Sequence, residues 1–161
     1  MDFEEYAKEA MRTYPSYLSD EDKLELAEVG VLGEAGELLD LLKKEVFHGH
    51  HVHPEKYKKE IGDVFWYVAT SPSPNGKLDE EYLGCESRSF RIKKVRDLIR
   101  GASSGLLRNR AILSLYAICA AFGYDPGEIM AMNIAKLRER YKVGFSTAES
   151  VAGVDVKEND L

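Results

Sequence analysis

The sequence predicts an all-α protein: a helical bundle in one domain over residues 1–146, with an insertion at 71–110 and an acidic tail at 147–161. Three observations carry this expectation. Apolar residues recur at spacings of three and four along most of the chain, no long alternating strand pattern or internal repeat occurs, and helix-starting signals stand before the periodic segments.

Residues 3–14 have helical spacing. A second helix opens at Ser19, where Asp22 completes a box-like cap, and runs to about Lys44. Gly49 breaks the pattern, Pro54 suits a first helical position, and KYKKEIGDVFWYVA continues as a helix to about Thr70. SPSPNG, at 71–76, excludes helix. The polar stretch after it holds one helix, over 87–100, and reads as an insertion between the motif helix and the C-terminal helices. Its Arg88, Arg91, Arg96 and Arg100 are expected on a solvated helix surface. Apolar periodicity resumes from Ala111 to Phe122. Asp125-Pro126-Gly127-Glu128 then supplies a cap, a first-turn proline and an acid in the first turn for a last helix ending near Tyr141. Beyond Ser146 the chain is expected to fray.

Composition narrows the function classes. A chain of 161 residues that is 44% hydrophobic can bury a core, and its net charge of -6 argues against a basic surface for nucleic acid. Cys85 and Cys119 form no CxxC pattern, so neither a disulfide framework nor a thiolate zinc site is indicated. The acidic N-terminus MDFEEYAKEA is unlike a signal peptide, and no run of about 18 apolar residues occurs. A cytoplasmic protein with no membrane partner is the expectation.

Two helices carry acids where apolar residues belong. On a wheel of about 100° per residue, Glu34 falls among Ala27, Val31, Leu38 and Leu41, with Glu37 about 60° away. In the next motif helix Glu60 lies beside Val64, Tyr57 and Tyr67, with Asp63 again about 60° away. Helices joined by a short turn lie antiparallel with their apolar stripes facing, which brings Glu34 and Glu37 towards Glu60 and Asp63. Like charges so placed take up protons or find a cation. Four oxygen donors with no thiolate suit Mg²⁺ or Mn²⁺ better than zinc. The alternative is a set of acids at bundle edges paired with Lys43, Lys44, Lys58 or Lys59.

These segments also carry a resemblance. GEAGE (33–37) followed by KKEIGDVFWY (58–67) is similar to the paired ExxE and ExxD motif of the MazG-like, all-α nucleoside triphosphate pyrophosphohydrolases. Lys43-Lys44 and FHGH between the motifs, and NIAKLRERY with GF (133–145), match in the expected order. The block from about 71 to 110, which compact members lack, is the departure and bears on substrate range and assembly. The resemblance implies Mg²⁺-dependent hydrolysis of a nucleoside triphosphate between its α and β phosphates. Glu34, Glu37, Glu60 and Asp63 would then be the catalytic metal-binding residues, with one carboxylate, such as Glu37, taking a proton from water.

The remaining candidates lie around that quartet. Asn133, Lys136 and Arg140 line one side of the last helix, an edge that suits either solvent or a phosphate tail, and the resemblance favours Asn133 and Lys136 as nucleotide contacts. Tyr67, one turn after Asp63, is placed to touch sugar or phosphate. His48, His50, His51 and His53 lack the spacing that preorganises zinc, and read as a turn from which His48 or His50 reaches the substrate. There is no phosphate loop of the GxxxxGK[ST] type and no GxSxG elbow. Two rivals remain: a helical interaction module without turnover, and a di-iron carboxylate protein. The second needs two ExxH pairs, whereas Glu45-x-x-His48 is one. The apolar arc with Phe65, Trp66 and Leu39 looks hard to cover within one chain, so a homodimer or homotetramer is expected.

Overall fold

The computed structural model describes residues 1–72, 88–102, 108–142, 144 and 145. Among these residues the fold is six α-helices with no strand, and none of the helices is long and apolar enough to cross a membrane. Helix α1, Phe3–Ala10, starts at Asp2, whose side chain accepts from the Glu5 amide at 2.8 Å, and passes into a 3₁₀ turn at Met11–Thr13. Helix α2, Asp20–His48, is capped by the Ser19 hydroxyl, which accepts from the Asp22 amide at 3.1 Å.

Helix α2 outlasts its expected end at Lys44 by one turn. Apolar periodicity fades there, but Glu45–His48 keep helical backbone until Gly49 takes the left-handed conformation (φ 70°) and returns its amide to the Lys44 carbonyl. His48 therefore sits in the last helical turn rather than in the connection. Helix α3, Pro54–Thr70, follows, with the His53 ring accepting from the Glu55 amide at 3.4 Å. Two contacts establish that α2 and α3 run antiparallel. Tyr57, near the start of α3, donates to Glu45 near the end of α2 at 2.8 Å, while Tyr67 at the far end of α3 lies against Gly30.

Helix α4, Arg88–Ala102, α5, Arg108–Phe122, and α6, Pro126–Arg140, complete the bundle. Asp125 caps α6 through the Glu128 amide at 2.7 Å. The core joins Tyr6 of α1 to Leu38 and Leu42 of α2, Ile61, Val64 and Phe65 of α3, Leu115 and Ile118 of α5, and Ile129 and Met130 of α6.

Helix α4, in the stretch read as an insertion, belongs to the common core. Val95 and Leu98 are fully buried in the common core, and the helix packs against α2 and α5. Arg91 is not a solvated arginine either: its Nε donates to the Ala121 carbonyl at 2.8 Å and its guanidinium lies 4.7 Å from the centre of the Phe122 ring. Residues 73–87 and 103–107, Cys85 with them, and the acidic tail lie outside the described residues.

The arc that seemed to need a second subunit is covered largely from within. Phe65 is fully buried, with the rings of Phe3, Tyr6 and Tyr116 about it. Trp66 is half-buried, packs on Tyr14 and donates its indole N–H to the Thr13 hydroxyl at 3.0 Å. Leu39 is half-buried against the core. Helix α1 and the turn after it thus cover Phe65 and part of Trp66 within one chain.

Candidate acidic site

Glu34, Glu37 and Glu60 converge. One carboxylate oxygen from each lies within 4.8 Å of the others, the group of this kind that stands out among the described residues. The antiparallel pairing of α2 and α3 brings it about, since Glu34 and Glu37 occupy one turn of α2 and Glu60 faces them from the first half of α3. Glu60 is only 7% exposed, Glu34 is half-buried and Glu37 is exposed.

Burial is the main force on this group. It raises the Glu34 carboxyl to about 8, with the charges of Asp63, Glu37 and Glu60 adding to it and Lys136 opposing. Glu60 is also raised, first by burial, with its neighbour Lys59 pulling the other way. Lys59 stands 3.5 Å from Glu60; burial depresses its ammonium, but the charges of Glu60 and Asp63 outweigh this and raise it overall. Among the described residues, the side chains of Glu34 and Glu37 take part in no hydrogen bond or ion pair.

Asp63 is set apart from the three. Its Oδ1 accepts from Asn133 Nδ2 at 2.8 Å and is in contact with the Lys136 ammonium, so α6 supplies its partners. The four-acid cluster expected from the helical wheels is thus three converging glutamates and an aspartate tied to α6. Asp63 nevertheless remains close enough to raise both Glu34 and Glu60 by its charge.

The expected phosphate edge is divided in the same way. Lys136 reaches the site through Asp63, but Asn133 is 4% exposed and engaged at both ends, its Oδ1 accepting from the Tyr6 hydroxyl at 2.8 Å. Arg140 stands exposed in the last turn of α6. Tyr67 borders the acids: burial raises its hydroxyl first, and then the charges of Glu34 and Asp63. Its ring fits because position 30 has no side chain; a Cβ there would lie 2.2 Å from two ring carbons.

His48 is exposed, with its ring 6.2 Å from that of His50, and His53 caps α3. Glu45 of the ExxH pair holds Tyr57. Lysine pairing accounts for Glu60, beside Lys59, and for Asp63, beside Lys136, but not for Glu34 and Glu37, because Lys43 and Lys44 go to Asp40, and Lys58 goes to Glu55 and Glu128. Sequence reasoning missed Tyr6, which reads there only as one apolar position of α1. No protein-family model matches the chain, and neither a curated protein nor a solved structure is detectably similar to it.

Proposed function

We propose that this protein is a Mg²⁺-dependent hydrolase that converts a nucleoside or deoxynucleoside triphosphate to its monophosphate and pyrophosphate, with Mn²⁺ able to replace Mg²⁺. The observation that carries the reading is the convergence of Glu34, Glu37 and Glu60 within 4.8 Å. The similarity of GEAGE and KKEIGDVFWY to the paired motif of the MazG-like pyrophosphohydrolases supports it, as does the all-helical architecture.

The donor set fits a hard divalent cation. It offers carboxylate oxygens without thiolate or imidazole, and Glu34 pays for its charge in this environment unless a proton or a cation joins it. Glu34, Glu37 and Glu60 would hold the ion together with Asp63, the last through the oxygen that Asn133 and Lys136 leave open. A cation bound there supplies positive charge against the charge that develops on the phosphate oxygens. Lys136, already at the rim of the site on Asp63, is the protein's own cation for the phosphate chain. Tyr67 offers a hydroxyl at the same rim. Glu37, the exposed glutamate, is placed to accept a proton as water adds to the α phosphorus and the bridging oxygen leaves with pyrophosphate.

The test is a panel of nucleoside and deoxynucleoside triphosphates assayed for pyrophosphate and monophosphate with and without Mg²⁺. Equimolar release that requires the metal is the expected result. Absence of release across the whole panel would sink the enzyme reading and leave a helical interaction module.

A further inference from the structure

We infer that Tyr6 is a positioning residue: its hydroxyl, acting through the Asn133 amide, sets the orientation in which Asp63 meets the Glu34, Glu37 and Glu60 group. This inference rests on the metal reading proposed above.

Three bonded groups on three helices make up the device. The Tyr6 hydroxyl of α1 lies 2.8 Å from Asn133 Oδ1 on α6 and 3.4 Å from the Gly62 carbonyl on α3, so its single proton goes mainly to the amide. Asn133 Nδ2 then points away from Tyr6 and donates to Asp63 at 2.8 Å. The reverse orientation of the amide would set its oxygen against the Asp63 carboxylate, which offers acceptors alone when ionised. A donor at one end and an anion at the other thus admit one orientation.

Packing makes this arrangement stiff. Tyr6 is fully buried with its ring edge-on to Phe65, and Gly62 lets α6 approach so closely that an added Cβ would lie 3.2 Å from Asn133 Cβ. Both partners of Asp63 fall on Oδ1, so its second oxygen is the one available to the acid group. A phenylalanine would fill the space of Tyr6 equally well, and the hydroxyl therefore answers to the polar chain rather than to the core.

The experiment is titration of the full-length protein with Mn²⁺ alone, free ion being followed by electron paramagnetic resonance, for wild type, Tyr6→Phe, Asn133→Ala and the double variant. Loss of a partner that orients a ligand typically weakens metal affinity tenfold or more, so Tyr6→Phe and Asn133→Ala should each bind about tenfold more weakly. The double variant should be no weaker than Asn133→Ala, because both act through one bond chain. A Tyr6 that merely packs would lower the unfolding temperature and leave Mn²⁺ affinity unchanged, or would add its loss in full to that of Asn133→Ala; either result overturns the inference. Wild-type protein that binds no Mn²⁺ would overturn the metal reading itself and the inference with it, whereas wild-type binding with an unaffected Tyr6→Phe overturns the inference alone.

Discussion

Asp63 has a cation and an amide in contact with it and Glu34 has neither, although the charge of Asp63 reaches Glu34 and raises it. Their neutral variants should therefore behave oppositely in stability. At neutral pH the half-buried Glu34 carboxyl must take up a proton on folding, and Glu34→Gln removes that cost, so the fold should be as stable as wild type or more so. Asp63→Asn leaves the Lys136 ammonium with a neutral amide oxygen in place of its counter-charge and should cost about 1 kcal/mol, the difference between a hydrogen bond to a charged and to a neutral acceptor. Urea unfolding followed by fluorescence of Trp66, the single tryptophan, measures both. Under the proposed function each variant also loses turnover by about a hundredfold or more; equal stability changes of one sign would contradict the distinction drawn here. The wheels of α2 and α3 made all four acids legible as residues on apolar faces. They did not distinguish Asp63 from the others, because what distinguishes it belongs to α6 and no pattern local to α3 contains it.

Within one element, α2, three glycines meet two different surroundings, and substituting alanine reads them out. A Cβ at Gly30 would collide with the Tyr67 ring, whereas at Gly33 and Gly36 it would meet nothing within 4 Å. Gly30→Ala should therefore destabilise by about 1 to 3 kcal/mol, as overpacking does, and should displace Tyr67 from the acids. Gly33→Ala and Gly36→Ala should each stabilise by about 0.5 to 1 kcal/mol through the lower entropy cost of a helical alanine. Thermal unfolding of the three variants decides it, and a stabilising Gly30→Ala would mean that Tyr67 does not lie against α2. Helix starts were legible because capping chemistry is local: Ser19, Pro54 and Asp125 stand where the helices begin. The end of α2 was harder, since Gly49 stops the backbone one turn after side-chain periodicity fades. The burial of α4 was harder still, because two fully buried residues, Val95 and Leu98, sit in a polar stretch whose packing depends on α2 and α5.

At the scale of the whole molecule, the acid group links stability to pH and to metal. Folding lifts the Glu34 carboxyl from its ordinary 4.5 to about 8, and Glu60 is raised as well. Between these values the folded chain holds a proton that the unfolded chain has released, so stability falls as pH rises through that window. The contribution is fully present below about pH 4.5 and is lost above about pH 8. Asp40, Asp20 and Glu9, lowered by hydrogen bonds to lysine or arginine, act in the opposite sense at lower pH, but their carboxylates reach solvent, which screens them. The unfolding temperature of metal-free protein should therefore decline from about pH 5 to pH 8, and Glu34→Gln should flatten the decline. Mg²⁺ bound by the folded state alone raises stability by mass action, and it competes with the same protons. Its stabilising effect should accordingly be larger at pH 8 than at pH 5. Differential scanning calorimetry with and without Mg²⁺ across that range checks both trends; an unfolding temperature that rises with pH without metal, or a Mg²⁺ effect equal at the two ends, would show that Glu34 does not hold its proton in the folded chain or that the cation binds away from it.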